Sequence, residues 1–212
     1  MTIKHHLNAQ LLTAYAAGNL PEAFSLVVAT HVSMCLDCRI ELEALEAVGG
    51  VVLQESASAE LSSDALQTAL NRIGKRASAD VTIKVKGSVP GPLNAYVGGD
   101  FGAVRWQKMG LGLRQSVLAT SKNASARLLY IPAGRGVPDH GHRGTELTLV
   151  LQGAFRDESD HFAAGDLEIA GADQKHSPVA EMGQDCICLA ATDAPLRFKG
   201  LVPRLLQPVF RI

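Results

Sequence analysis

The sequence has no run of about 18 apolar residues, and Met1-Thr2-Ile3-Lys4-His5-His6 leads into no signal-peptide core. The expectation is a cytoplasmic protein with no membrane partner. Cysteine is scarce, with four residues in two close pairs, Cys35 with Cys38 and Cys186 with Cys188. That is no framework for a disulfide-stapled secreted domain; in a reducing compartment a close pair points to metal or redox chemistry. Basic charge is nearly missing from residues 1–64. There Lys4 and Arg39 face Glu22, Asp37, Glu41, Glu43, Glu46, Glu55, Glu60 and Asp64, two against eight, a balance of −6. Such a segment repels nucleic acid and suits a basic protein partner. The one basic cluster, Arg72, Lys75, Arg76 and Lys84, lacks interleaved aromatics and reads as solvated linker, so no direct nucleic-acid contact is expected.

What is present is an ordinary globular composition: 212 residues, 47% hydrophobic and 19% charged. That is enough for one large or two small cores, and two domains are expected. The chain begins with helices. Asn8 can cap one through Leu11, Leu12 and Tyr15 that stops at Gly18-Asn19, and Pro21-Glu22 opens a second. That second helix runs into His31. A third starts near Cys35 and continues through Ile40, Leu42, Leu45 and Val48, with Gly49-Gly50 weakening it. After the spacer-like Ser56-Ala57-Ser58-Ala59, Ser62-Ser63-Asp64 caps an amphipathic helix bearing Leu66, Leu70 and Ile73 that Gly74 closes. Its apolar stripe suits docking on the small domain or on another protein.

His31, Cys35 and Cys38 are metal ligands at helical spacing. On an α-helix the i,i+4 and i,i+3 steps bring all three to one face, which makes three corners of a zinc tetrahedron. His5 and His6 are the available fourth donors. The competing reading is a buried cysteine pair with a surface histidine and no metal. A helical segment below about 70–80 residues needs a staple, and zinc tying the N-terminus to the junction of helices 2 and 3 would supply one.

Residues 75–92, with Gly87, Ser88, Pro90, Gly91 and Pro92, read as an interdomain linker. From Leu93 onward the pattern is short β-prone runs separated by Gly, Pro and Asp turns: Arg127 to Ile131, Glu146 to Leu151, Asp185 to Ala190, Leu196 to Phe198. Even spacing of this kind indicates a barrel or jelly roll. His140, His142 and Glu146 stand at even steps and can share a strand face, and His176 follows Gly165 by eleven residues. Three imidazoles and a carboxylate suit zinc, manganese, iron or nickel. Cys186 and Cys188 read as core-facing, as do Phe101 and Trp106; His161, after Asp157, Glu158 and Asp160, reads as a solvated loop residue.

The run Gly134-x5-His140-x-His142-x3-Glu146-x6-Gly153 resembles the first cupin motif at every fixed position, and Gly165 with His176 resembles the frame of the second. Gly171, Asp173 and Ala180 depart from that second motif at turn positions rather than ligands. The N-terminal His-x3-Cys-x2-Cys with an upstream histidine resembles the zinc-binding anti-sigma domain. Both in this order, with segments such as Leu12 to Gly18 and Val137 to Gly144, resemble the ChrR-type anti-sigma factors over essentially the whole chain.

That resemblance implies a multidomain α plus all-β protein: a zinc-stapled helical domain at 1–74, a linker at 75–92 and a cupin jelly-roll barrel at 93–212. It implies zinc on His6, His31, Cys35 and Cys38, with His5 the rival of His6, and a second metal on His140, His142, Glu146 and His176. The implied partner is an extracytoplasmic-function sigma factor, held one to one and released under singlet oxygen or organic hydroperoxide. The alternatives are a metal-dependent cupin enzyme, dioxygenase or isomerase, with a helical docking domain, and a redox switch at Cys35 and Cys38.

Overall fold

The computed structural model describes residues 2–75 and 89–198. The expected linker falls mostly at 76–88, outside them, as do the last residues, 199–212.

Four helices come first: α1 (Ala9–Ala16), α2 (Glu22–Met34), α3 (Leu36–Glu55) and α4 (Ala65–Lys75). The Asn8 side chain accepts from Leu11 N–H at 2.9 Å and caps α1, the bond that satisfies a free first-turn donor. Gly49-Gly50 does not interrupt α3. The single-face reading of His31, Cys35 and Cys38 needs correction, because Cys35 is extended (φ −108°, ψ 114°) and separates α2 from α3, whose axes meet at 116°. Spacing alone cannot reveal the break, since i,i+3 and i,i+4 are the same numbers on one helix or across a corner. The Arg39 guanidinium donates to the Val32 and Ser33 carbonyls and closes the end of α2 there. Among the described residues no single helix is long and apolar enough to cross a membrane.

A one-turn helix at Gly91–Leu93 and a short α5 (Asn94–Val97) lead into twelve strands. These are β1 (Gln107–Gly110), β2 (Leu113–Val117), β3 (Ser125–Ile131), β4 (His140–Gly141), β5 (Glu146–Gln152), β6 (Ala154–Arg156), β7 (His161–Ala163), β8 (Leu167–Ala170), β9 (Lys175–His176), β10 (Val179–Ala180), β11 (Cys186–Thr192) and β12 (Arg197–Phe198). They form antiparallel sheets in the orders β1-β2-β3-β11-β5-β8, β10-β6-β7 and β12-β4-β9. His161 therefore opens a strand rather than sitting in a loop. Its imidazole is 44% exposed and lies 3.4 Å from Glu181.

The central strands of the large sheet are buried on both faces, and this explains why β5 is buried from Glu146 through Val150 where alternation would mark a half-exposed strand. One face, with Leu128, Leu147, Leu149 and Leu189, joins a core with Leu12, Phe24, Val27 and Val28 from the helices. The other, with Ile131, Val150, Cys186 and Cys188, packs with Phe155 and Phe162. Helix α2 lies against β3, β5 and β11 and also meets the Gly91–Leu93 turn. Being covered on several sides, it is apolar nearly all round. Phe101 and Trp106 pack at the margin of this shared core, partly buried. By contrast Leu66 (73%), Leu70 (52%) and Ile73 (70%) on α4, and Val48, Val51, Val52 and Leu53 on the distal half of α3, are exposed.

Candidate metal centres

The corner between α2 and α3 gathers His31, Cys35 and Cys38, and the irregular N-terminal stretch before α1 delivers His6 to the same point. Their ligand atoms all lie within 4.8 Å of one another. Cys35 Sγ and Cys38 Sγ stand 3.3 and 3.7 Å from His6 Nδ1, and His31 Nε2 stands 3.3 Å from Cys38 Sγ. A tetrahedral zinc with bonds of about 2.0–2.1 Å to nitrogen and 2.3 Å to sulfur separates unlike ligands by about 3.6 Å, so the cluster has the size of such a site. The donor set, two imidazoles and two thiols, has the softness zinc prefers. Burial lowers the His31 pKa to about 4, which keeps its imidazole neutral and able to ligate. Burial pushes the Cys38 thiol up to about 11, so a metal would have to displace a proton there.

His5 is not part of this cluster. Its Nε2 lies 3.1 Å from Asp160 Oδ2 and its ring packs on Phe162, on the β-domain side.

The second cluster lies in the β domain. The β4–β9 pairing sets His140 opposite His176, and His142 follows two residues on. The His176 Nε2 is 3.1 Å from His140 Nε2 and 3.2 Å from His142 Nε2, near the separation of about 3.3 Å that tetrahedral zinc–nitrogen bonds impose. Each outer nitrogen has an oxygen beside it. His140 Nδ1 has the Pro138 carbonyl at 2.9 Å, His142 Nδ1 has Glu146 Oε2 at 3.1 Å, and His176 Nδ1 has Glu168 Oε1 at 2.7 Å and Asp157 Oδ2 at 3.0 Å. At His140 and His176 these oxygens are hydrogen-bond partners and fix the tautomer that leaves Nε2 free for a metal. The group of mutually close ligand atoms is the three histidines, and Glu146 adjoins it through the 3.1 Å contact of its Oε2 with His142 Nδ1. Burial lowers the His140 pKa. Burial acts the same way on His176, but the Glu168 and Asp157 carboxylates outweigh it and raise that pKa to about 9. A cavity of about 70 Å³ beside the cluster is bounded by Arg127, His140, Glu146, Glu168, His176 and Cys188 among others.

Asp157, Glu168 and Asp166 were not legible as site residues. Asp157 and its neighbours read as a solvated turn, yet its side chain is buried against His176. Asp166 is also buried. It accepts from the backbone N–H groups of Lys4 (2.6 Å), His5 (3.0 Å) and Ala163 (2.8 Å). Cys186 and Cys188 are buried together with their sulfurs 3.5 Å apart, and the Cys186 contact and burial hold the Cys188 thiol well above its ordinary pKa.

A family profile described as "ChrR Cupin-like domain" matches residues 94–195. Over 213 aligned residues, covering all of both chains, this chain is 55% identical to the anti-sigma-E factor ChrR of Cereibacter sphaeroides. The chain belongs to the ChrR family of anti-sigma factors. A solved structure of Rhodobacter sphaeroides SigE in complex with the anti-sigma ChrR is also similar, at 55% identity and a TM-score of 0.81, covering 91% of this chain and 100% of that one. ChrR family members are thus described by regulation of a sigma factor and not by a reaction. In this ChrR-family chain, helices carrying a His/Cys cluster precede a cupin-like β-sheet domain carrying a three-histidine cluster.

Proposed function

We propose that this protein sequesters an extracytoplasmic-function sigma factor in a one-to-one complex and releases it under oxidative stress by singlet oxygen or organic hydroperoxide. In this reading zinc on His6, His31, Cys35 and Cys38 staples the N-terminal helices. A second metal, zinc or else manganese, iron or nickel, is held by His140, His142 and His176, with Glu146 beside it as the fourth donor of the cupin pattern. The observation that carries the sequestering half is the apolar stripe of α4, with Leu66 and Ile73 at least 70% exposed. Isolated exposed leucines are ordinary, but a helix whose apolar face is left this exposed gains stability from a partner that covers it. The distal half of α3 adds Val48, Val51, Val52 and Leu53. The acidic balance of residues 1–64 suits the basic, DNA-binding surfaces of a sigma factor, and covering those surfaces would exclude promoter DNA both sterically and by charge. The chain as a whole supports the same reading through its likeness to a ChrR protein solved with SigE.

The sensing half draws its support from the second cluster, in which the buried imidazoles of His140 and His176 line a cavity that a small molecule could enter. Co-expression of the tagged full chain with an extracytoplasmic-function sigma factor tests the whole reading. The two proteins should purify together at equal amounts, and a reporter from the sigma-dependent promoter should stay silent until singlet oxygen or organic hydroperoxide is supplied. A reporter equally active with and without the chain removes the sequestering role; a silent reporter that neither oxidant awakens removes the sensing role alone.

A further inference from the structure

The two candidate metal centres touch the same stretch of chain, the residues 157–168 that run through β7 and turn into β8. Its two ends, Asp157 and Glu168, both face His176 Nδ1, at 3.0 and 2.7 Å. Asp157 is itself fixed, since its Oδ1 accepts from Ser159 N–H, Ser159 O–H and Asp160 N–H. Between those ends Asp166, two residues before Glu168, accepts from the N–H groups of Lys4 and His5, while Leu167 N–H donates to the His5 carbonyl at 3.2 Å. Asp160 faces His5 Nε2. His6, the next residue, belongs to the zinc cluster. The turn between β7 and β8 also lies against both elements of that cluster. A Cβ on Gly165, whose φ is +95°, would stand 2.6 Å from Ile3 and 3.9 Å from Met34 at the end of α2.

We propose that this stretch couples the two centres, Asp157 and Glu168 acting as positioning residues for His176, and Asp160 and Asp166 fastening the N-terminal segment that ends in His6. The inference rests on reading both clusters as metal centres, and it names the route by which a change at one reaches the other. The His176 Nε2 lies 3.1 Å from that of His140 and 3.2 Å from that of His142, a spacing that a shared cation would hold and that, without one, leaves the imidazoles to turn apart or share protons. His176 is the member tied to Asp157 and Glu168, so its movement displaces the stretch that grips Lys4 and His5. The consequence is a looser His6 and more reactive Cys35 and Cys38.

The test is a double-mutant cycle on the full, metal-loaded chain, read as the rate at which iodoacetamide alkylates Cys35 and Cys38, resolved by peptide mass spectrometry. His142→Ala, which empties the β-domain centre, should raise that rate by roughly tenfold, in the ordinary range of coupling between sites. Asp166→Ala may not be assumed neutral by itself; what counts is that adding His142→Ala to it should change the rate by a factor near one. If the factor stays near tenfold in that background, Asp166 only braces the fold and the coupling is overturned. An unchanged rate in His142→Ala alone overturns it as well. Asp160→Ala, at an exposed position, gives the same comparison with a milder change and should shrink the factor part-way. Glu168→Gln, nearly isosteric, should weaken metal binding at the β-domain centre by about 10–100-fold, and an unaltered affinity removes the positioning role. Fewer than two metal ions on the unmodified chain contradicts the metal-centre reading, whereas two ions without rate coupling contradicts only this inference.

Discussion

Cys35 Sγ lies 3.3 Å from Nδ1 of His6, although 29 positions of chain separate them. That contact ties the N-terminal segment to the corner of α2 and α3. Because the preceding residues are hydrogen-bonded to Asp166 and Leu167, it also ties the helices to the β domain.

Cys38→Ser should cost the N-terminal centre its zinc. A structural zinc contributes on the order of 10 kcal/mol to a small site of this kind, so α1 to α3 should lose their fixed packing and uncover the sheet face of Leu128, Leu147, Leu149 and Leu189. Metal analysis with near-ultraviolet circular dichroism checks both outcomes. One zinc retained in Cys38→Ser would mean that the ligands are other residues.

Leu66→Asp and Leu70→Asp alter an exposed face and should change stability by no more than about 0.5 kcal/mol. On the sequestering reading each should nevertheless weaken sigma-factor binding by at least about tenfold, as expected of a buried apolar anchor. Thermal melting and titration calorimetry separate the two effects. Full affinity in the double variant would move the interface off α4.

Association should slow as ionic strength rises from about 50 to 500 mM, because the acidic N-terminal segment attracts a basic partner over distances that salt screens. Stopped-flow on-rates check this. A flat dependence leaves the apolar contacts and removes the electrostatic steering.

Acid should free the N-terminal segment from the β domain only at low pH. Burial tends to raise the Asp166 pKa, but the N–H donors of Ala163, His5 and Lys4 outweigh it and the folded value is lowered. A carboxyl with a depressed folded pKa contributes stability that is complete above its unfolded value near 3.9 and is lost as pH falls through the lower, folded value. Hydrogen exchange at Lys4 and His5, corrected for intrinsic rates, should stay protected at pH 5 and lose protection below about pH 4. Loss already near pH 6 would mean that Asp166 is not the controlling group.

The ligand types were legible because they are fixed by chemistry and short spacing: His31, Cys35 and Cys38 in eight residues, His140 and His142 two apart. The Asn8 cap and the continuation of α3 past Gly49-Gly50 were legible for the same local reason. The break at Cys35 was not, since local spacing is blind to the 116° corner. Nor were Asp157, Glu168 and Asp166. An aspartate beside Ser159 and Asp160 looks like any solvated turn until the sheet brings His176 to it, and nothing near Asp166 in sequence announces Lys4 and His5. Helix α2 did carry a signal, in that Ala23, Phe24, Leu26, Val27 and Val28 leave little polar face. A helix so apolar is covered on several sides, here by β3, β5 and β11.

The most direct test of the central claim is run-off transcription from a sigma-dependent promoter by RNA polymerase reconstituted with the cognate sigma factor. The zinc-loaded full chain should silence it at one equivalent per sigma factor, and the Cys38→Ser chain should not. Transcription that continues undiminished at a large excess of the zinc-loaded chain would contradict the account.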